Sequence, residues 1–194
     1  MVHEGWKVFR WTDRQLEKSE ERVKDELVTF FGNDPHLSLM DDDMPQQLGE
    51  TFALKHHQKE ALYNLSEMRE SGKSIAMLYE ATGTGKTVTA VSDAKAFGKR
   101  VLFLAHTKEL VYQAYEQFCR LWPQVTVGRF VENYREIDAF VLCASIQSVE
   151  RNLDAFSPEQ FAYLVIDECH HGTADTYKKV LSYFRPEFTL GLTA

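Results

Sequence analysis

The sequence has 194 residues, of which 44% are hydrophobic and 26% are charged, and its formal net charge is -7. This composition is typical of a folded domain and excludes a disordered or fibrous chain. No run approaches the ~18 apolar residues of a membrane-spanning helix, and the N-terminus lacks the basic-then-apolar order of a signal peptide, so we expect a cytoplasmic protein.

The negative charge is unevenly distributed along the chain. Residues 1–51 contain 6 basic and 12 acidic side chains, whereas residues 52–194 contain 16 and 17. Nucleic-acid binding usually requires a basic surface. If the second part binds a nucleic acid, we expect it to do so weakly when alone, through a few backbone amides and hydroxyls.

The first predicted elements form a short α+β appendage. Residues 5–11 are rich in aromatic side chains and predict a strand, and an apolar period over residues 23–30 predicts a helix. Residues 34–51 have no hydrophobic period and predict a linker. The predicted division is an appendage at 1–33, the linker, and a main domain at 52–194.

Beyond residue 52, predicted strands and helices alternate. Helices are predicted near residues 61–72, 86–97 and 107–122. This alternation predicts an α/β fold in which a mostly parallel sheet is covered by helices on both faces. The predicted strands are 74–81, 100–106, 125–131, 139–144, 163–167 and 188–192.

A glycine-rich turn lies between the first of these strands and the helix at 86–97. Gly83 and Gly85 allow backbone amides to surround phosphates, and the helix N-terminus adds partial positive charge. Lys86 can bind phosphate oxygens, and the Thr87 hydroxyl can bind Mg²⁺. The strict phosphate-loop pattern has Gly where this chain has Glu80, so a glycine-rich turn without a ligand is the alternative. The predicted nucleotide-binding residues of the loop are Thr82, Gly83, Thr84, Gly85, Lys86 and Thr87.

Two adjacent carboxylates, Asp167 and Glu168, follow the apolar strand at 163–167. Asp167 can hold Mg²⁺, and Glu168 can orient and deprotonate an attacking water. Paired acids at a strand end also occur by chance. Because the loop and the acids would lie at the carboxyl edge of one parallel sheet, the two motifs together predict a nucleotide site with Lys86, Asp167 and Glu168 as its catalytic residues.

These motifs, in this order, resemble those of superfamily 2 helicases over about residues 52–194. Residues 54–58 are similar to the glutamine motif of that family, which implies that Gln58 reads the adenine edge. The family's phosphate loop does not require Gly at position 80. Residues 167–170 resemble a DExH box, spelled DECH here. The resemblance implies a RecA-like P-loop NTPase domain that binds ATP and Mg²⁺.

Two further segments resemble the family's nucleic-acid motifs. Residues 104–110 are similar to motif Ia, and residues 144–148 are similar to a later strand-gripping motif. Thr107 and Ser145 could instead serve only as helix N-caps, because hydroxyl side chains favour that position. The contacts that the resemblance implies are Thr107, Lys108, Ser145 and Gln147.

Residues 191–194 resemble the beginning of motif III. The resemblance implies that His170 and Thr193 couple the nucleotide site to this motif, although His170 could be an ordinary surface histidine near a turn. The sequence stops within the motif, so we expect a second RecA-like domain, and the arginines it supplies to the γ-phosphate, to be missing from this chain. Weak nucleotide binding and little or no hydrolysis are then expected of the isolated chain.

The DECH spelling and residues 190–193 are most similar to the motor subunits of type I and type III restriction enzymes. That resemblance implies DNA rather than RNA as the partner and a restriction, defence or repair context. Residues 5–31 resemble the end of an upstream nuclease domain, but they contain no convincing catalytic set. A P-loop ATPase that acts on protein partners, or a regulatory nucleotide-binding module, are the alternatives.

Overall fold

The computed structural model describes residues 7–10, 54–81, 83–167 and 175–193, and the structural statements below refer to these residues. The described residues form seven strands and five α-helices. The strands are β1 Lys7–Arg10, β2 Ile75–Tyr79, β3 Val101–Ala105, β4 Val127–Phe130, β5 Val141–Ser145, β6 Tyr163–Ile166 and β7 Phe188–Thr193. The helices are α1 His56–Glu70, α2 Lys86–Phe97, α3 Lys108–Leu121, α4 Ile146–Arg151 and α5 Asp175–Tyr183, and a 3-10 turn covers Leu153–Ala155.

The strands form one sheet in the order β1-β2-β7-β6-β3-β5-β4, and every neighbouring pair is parallel. The chain leaves β2, crosses two strand positions to β3, and later returns through β6 to place β7 beside β2. The predicted α/β class and the parallel sheet are confirmed. The order of the strands was not predicted, because hydrophobic period alone does not specify which strands become neighbours.

Alternate residues of the central strands β3, β5 and β6 enter two separate hydrophobic cores. On one face, Phe103, Cys143 and Val165 pack against α1, α2 and α3. On the other face, Leu102, Leu142 and Leu164 pack against α4, α5 and the 3-10 turn. Because both faces are covered, the strands read as continuous apolar runs rather than as alternating ones.

Helix α2 begins and ends at glycines in the left-handed region. Gly85 precedes it with φ +100°, and Gly98 follows it with φ +71° and donates its N–H to the Ala94 carbonyl. Other residues adopt this backbone conformation at a cost, so glycine at both ends sets the limits of the helix. These limits agree with the predicted range 86–97.

Strand β1 pairs in parallel with β2, with Lys7 opposite Ala76 and Arg10 opposite Tyr79. By its internal contacts the chain divides into two units, Met1–Arg10 with Gln58–Ala194, and Trp11–His57. The sheet therefore includes a strand from the segment that we predicted to be an appendage. The predicted helix at 23–30 and the linker lie outside the described residues, so the remaining domain boundaries stay a prediction.

A buried ion pair joins α1, α2 and the beginning of β6. Arg69 donates two hydrogen bonds to Asp93, from Nη1 to Oδ2 at 2.7 Å and from Nη2 to Oδ1 at 2.9 Å. The Tyr163 hydroxyl donates to the same carboxylate at 2.5 Å, and the Arg69 guanidinium lies 5.0 Å from the centre of the Phe188 ring. The Asp93 side chain is only 1% exposed. Three elements that are distant in sequence are thus held together at one carboxylate.

Candidate nucleotide and nucleic-acid site

The predicted site residues that the structure describes gather at the carboxyl edge of the sheet, apart from Gln58, which approaches that edge from α1. The phosphate loop follows β2, Thr193 ends β7, and Asp167 follows β6. Thr107 follows β3, and Ser145 ends β5. Adjacent strands lie ~4.8 Å apart, so the phosphate loop and Asp167 are separated by roughly 10 Å along the edge, and the loop and Ser145 by roughly 19 Å. The edge therefore has a nucleotide half and a second half that carries the predicted strand contacts.

The phosphate loop depends on its two glycines. Gly83 has φ +83° and Gly85 has φ +100°, a region that side chains with a Cβ rarely adopt. Among the described residues beyond its chain neighbours, none lies within 4 Å of a Cβ at Gly83, whereas a Cβ at Gly85 would lie 2.7 Å from Gln58 Nε2. Gly85 is thus required for its backbone and for the space that it leaves. Thr82 lies outside the described residues.

Lys86, Thr84 and Glu80 form the hydrogen-bond network of the loop. Lys86 Nζ donates to the carbonyls of Glu80 at 3.0 Å and Ala81 at 3.3 Å, so its charge lies at the loop. The Thr84 hydroxyl lies 2.9 Å from Glu80 Oε2 and 2.8 Å from the Ala81 carbonyl oxygen. Glu80 is only 4% exposed, and its Oε1 accepts no hydrogen bond from the described residues. Sequence reasoning treated Glu80 only as a departure from a pattern and missed its contact with Thr84.

Gln58 lies in the first turn of α1 and reaches the phosphate loop. Its Nε2 donates to the Gly85 carbonyl at 3.3 Å, and the residue is 2% exposed. The structure therefore brings Gln58 to the loop although 27 residues separate the two partners. Its role in reading the adenine edge stays a prediction.

Asp167 and Thr193 lie at neighbouring strand ends beside the loop. Asp167 is 8% exposed, and its N–H donates to the Leu104 carbonyl at 2.8 Å. Thr193 is 7% exposed, and its carbonyl accepts from the Glu80 N–H at 3.1 Å, which joins β7 to the beginning of the loop. Thr87 is half-buried in the first turn of α2. Glu168 and His170 lie outside the described residues.

The other half of the edge carries three of the predicted nucleic-acid contacts. Thr107 caps α3 by accepting from the Leu110 N–H at 3.3 Å, and Ser145 caps α4 by accepting from the Ser148 N–H at 3.2 Å. The capping roles that the sequence allowed are present. Gln147 Nε2 donates to the His106 carbonyl at 3.2 Å, which links the segments after β3 and β5. The contacts that we predict between these three residues and a nucleic-acid strand stay predictions.

Lys108, the fourth predicted contact, is engaged by a carboxylate. Its Nζ donates to Glu132 Oε1 at 3.1 Å, and the Tyr112 hydroxyl donates to Glu132 Oε2 at 3.0 Å. The hydrogen bond to Glu132 raises the pKa of Lys108, and the same bond lowers the pKa of Glu132. Sequence reasoning missed Tyr112 and Glu132. The position of Tyr112 four residues after Lys108 on one helix was the only available signal for this cluster.

Comparison with known proteins identifies the family of this site. The sequence model of the family described as type III restriction enzyme, res subunit, matches residues 51–194. This range contains the phosphate loop, Asp167 and the strands that carry them. The chain belongs to this family.

Two curated relatives of this res subunit domain are similar over parts of the chain. The Escherichia coli type I restriction enzyme EcoAI endonuclease subunit is 33% identical over 155 residues, which is 72% of this chain and 19% of that protein. A Saccharomyces cerevisiae protein described as a candidate ATP-dependent helicase, IRC3, is 30% identical over 88 residues, which is 43% of this chain and 12% of that protein. The chain thus spans less than a fifth of the length of either relative.

A solved structure has the same fold. The Sulfolobus solfataricus SWI2/SNF2 ATPase core in complex with dsDNA matches with a TM-score of 0.60 at 20% identity, over 76% of this chain and 34% of that one. The predicted RecA-like fold is confirmed. The res subunit domain is a superfamily 2 helicase or ATPase motor domain, and its family implies ATP binding. None of its described helices combines the length and apolarity that crossing a membrane requires.

Proposed function

We propose that, in the intact protein, this chain is the first ATP-binding motor domain of a DNA helicase or translocase of restriction or defence type. ATP hydrolysis at one half of the carboxyl edge would drive movement of a nucleic-acid strand that is bound at the other half. The observation that carries this proposal is the shared edge itself. The phosphate loop, Asp167 and Thr193 occupy three adjacent strand ends, and Thr107 and Ser145 occupy the next two.

The residues of the nucleotide half fit MgATP. Gly83 and Gly85 provide a loop whose backbone is compatible with phosphates. Among the described residues, the hydrogen-bond partners of Lys86 Nζ are two carbonyl oxygens, which phosphate oxygens can replace. Thr87 and Asp167 are the hydroxyl and carboxylate that would hold Mg²⁺. When bound, MgATP supplies the reacting γ-phosphoryl group and a divalent charge that stabilises its transfer.

The protein groups then have separate tasks. Lys86 places a positive charge against the phosphates, and Gln58, which is bonded to the Gly85 carbonyl, is in reach of the loop for contact with the base. Glu168, adjacent to Asp167 in sequence, would orient the attacking water and accept its proton. Thr193, whose carbonyl is bonded to the Glu80 N–H, would transmit the state of the loop to β7.

The preference for DNA is supported by the relatives rather than by the surface charge. The EcoAI subunit is a restriction enzyme component, and the matched Sulfolobus ATPase core was solved with dsDNA. The side chains predicted to contact the nucleic-acid strand are two hydroxyls, one amide and one lysine, which suit binding to the sugar-phosphate backbone without sequence readout. We therefore propose DNA as the partner, with duplex DNA as the first substrate to test.

The test is ATP turnover by the intact protein that contains this chain, with and without duplex DNA, single-stranded DNA and RNA. We expect duplex DNA to stimulate turnover and Lys86→Ala to abolish it, because the loss of a preorganised charge at the phosphates removes transition-state stabilisation of ~3 kcal/mol or more. The isolated 194-residue chain should turn over ATP slowly or not at all, because the family resemblance implies that arginines of a second RecA-like domain act at the γ-phosphate.

Each outcome distinguishes between the candidate functions. Stimulation by duplex DNA that depends on Lys86 supports the translocase. Turnover that no nucleic acid changes would contradict the motor function and favour an ATPase that acts on protein partners. Full activity of a Glu168→Gln variant would remove Glu168 from the catalytic set.

A further inference from the structure

A carboxylate occupies a two-donor anion site at the predicted strand-binding half of the edge. Lys108 Nζ and the Tyr112 hydroxyl each donate to a different oxygen of Glu132, at 3.1 and 3.0 Å. An ammonium and a phenol that converge on two oxygens of one anion also match two oxygens of a phosphate group. The site that binds Glu132 therefore has the donor chemistry of a site for the nucleic-acid backbone.

The backbone of Glu132 is unusual for its residue type. Its φ is +53°, the only positive value at a non-glycine residue in the described part of the chain. Glutamate rarely adopts this conformation, and such residues are concentrated at functional segments. Arg135 Nη1 donates to the Glu132 carbonyl at 2.6 Å and supports this conformation. The turn after β4 thus presents the Glu132 carboxylate to Lys108 in spite of a local backbone cost.

The position of the pair places it among the other predicted contacts. Lys108 follows β3, Glu132 follows β4, and β5 lies between those two strands with Ser145 at its end. A nucleic-acid strand bound by Thr107 and Ser145 would therefore pass the site that Glu132 occupies. Because the Lys108 and Glu132 side chains are 55% and 45% exposed, solvent reaches the pair and a dissolved anion can compete for it.

We propose that Lys108 Nζ and the Tyr112 hydroxyl form a phosphate-binding site for the nucleic-acid backbone, and that Glu132 is a built-in competitor that the strand must displace. This inference rests on the proposed function as a nucleic-acid motor. It adds Tyr112 as a contact with the nucleic-acid backbone. It also explains how Lys108 can release the nucleic acid after binding it, because Glu132 can take back its place on the lysine. An exposed ion pair is weak, so the exchange of carboxylate for phosphate costs little.

The test measures binding of fluorescein-labelled duplex and single-stranded DNA to the chain by anisotropy over a salt series. Glu132→Gln keeps the size of the side chain but removes the competing charge. We expect this variant to lower Kd about two- to fivefold at low salt, a range set by the modest strength of exposed ion pairs. The slope of log K against log salt should steepen by about one, because in the wild type the displaced Glu132 carboxylate takes up a cation and offsets one of those that the DNA releases.

Matched variants separate the competitor from a general charge effect. Glu109→Gln makes the same change in net charge, and Glu109 also acts on Lys108 through its charge. It should change Kd far less than Glu132→Gln does. In a Lys108→Ala background the gain from Glu132→Gln should disappear, and in a Tyr112→Phe background it should shrink. The thermal midpoint of each variant checks that the fold is retained.

The outcomes separate this inference from the proposed function. The role of Glu132 as a competitor is overturned if the wild-type chain binds DNA and Glu132→Gln leaves Kd unchanged, or if the gain in affinity persists without Lys108. The motor proposal stands in either case. An equal gain from Glu109→Gln also overturns the role of Glu132. If neither the wild type nor Glu132→Gln binds any nucleic acid at low salt, this inference is overturned, and the proposed function fails with it only if no nucleic acid stimulates ATP turnover by the intact protein.

Discussion

Two ion pairs of this domain each join a basic side chain to a carboxylate, but one pair is buried and the other is exposed to solvent. Arg69 and Asp93 meet where their side chains are 17% and 1% exposed, whereas the side chains of Lys108 and Glu132 are 55% and 45% exposed. Breaking a buried pair leaves an uncompensated charge away from water, whereas breaking an exposed pair exchanges one weak contact for hydration. The first pair therefore fixes the packing of helices, and the second can change partner.

The largest effect is expected from breaking the buried pair on one side. Asp93→Ala would leave the Arg69 guanidinium and the Tyr163 hydroxyl without their shared acceptor. We expect the free energy of unfolding to fall by about 3 kcal/mol or more, measured by urea denaturation. In the double variant Arg69→Leu with Asp93→Leu, part of this loss should be recovered because no charge stays buried. If Asp93→Ala lowers the free energy of unfolding by less than about 1 kcal/mol, the contrast between the buried and the exposed ion pair is wrong.

Removing only the tyrosine hydroxyl should have a smaller effect. Tyr163→Phe deletes one hydrogen bond to a charged acceptor and keeps both bonds from Arg69. We expect a loss of about 1.5 kcal/mol in the free energy of unfolding, from the same denaturation series. Tyr183→Phe, which removes a hydroxyl bonded to the neutral Phe156 carbonyl, is the comparison, and it should cost less.

Alkaline pH offers a third way to probe the buried pair. Burial, reinforced by the Asp93 charge, raises the pKa of Tyr163 well above 10.0. The protonated Tyr163 hydroxyl therefore contributes its full share of stability below the pKa of tyrosine in the unfolded chain, which is near 10. This share is lost as pH rises from there towards the higher pKa of Tyr163 in the folded protein. Each such group then removes about 1.4 kcal/mol per pH unit. Urea denaturation at pH 9 and 11 should show a steeper decline for the wild type than for Tyr163→Phe, and parallel declines would contradict this.

The smallest effect is expected at the exposed pair. Glu132→Gln should leave the urea midpoint unchanged within error, although the same variant is expected to change DNA affinity. This separation of stability from binding is what distinguishes an exchangeable pair from a structural one. A clear fall in the midpoint would mean that Glu132 supports the fold and would weaken its interpretation as a competitor.

The sequence predicted what depends on local chemistry. The limits of α2 follow from Gly85 and Gly98, and the caps at Thr107 and Ser145 follow from hydroxyls placed before helical runs. The phosphate loop could be recognised because glycine, lysine and threonine have separate physical tasks within a few residues. The type and approximate limits of these elements could therefore be assigned before the fold was known.

What the sequence did not predict depends on contacts between distant residues. Arg69 and Asp93 are separated by 24 residues, and Asp93 and Tyr163 by 70, so no periodic pattern connects them. The positive φ of Glu132 is equally hidden, because glutamate carries no signal for that conformation. The sheet order and the partner of Lys108 both arise from tertiary packing, and they became visible only with the fold.

The place of β7 between β2 and β6 has a consequence for biosynthesis. Strand β7 is the last strand of the described chain to leave the ribosome, yet it alone joins the β1–β2 pair to the four strands on its other side. Until residues 188–193 emerge, the phosphate loop and Asp167 belong to two separate pieces of sheet, each with an exposed edge open to wrong partners. Contacts between residues so far apart along the chain also slow folding. The two parts of the nucleotide site are therefore joined in one sheet only after β7 has emerged and paired with both of its neighbours.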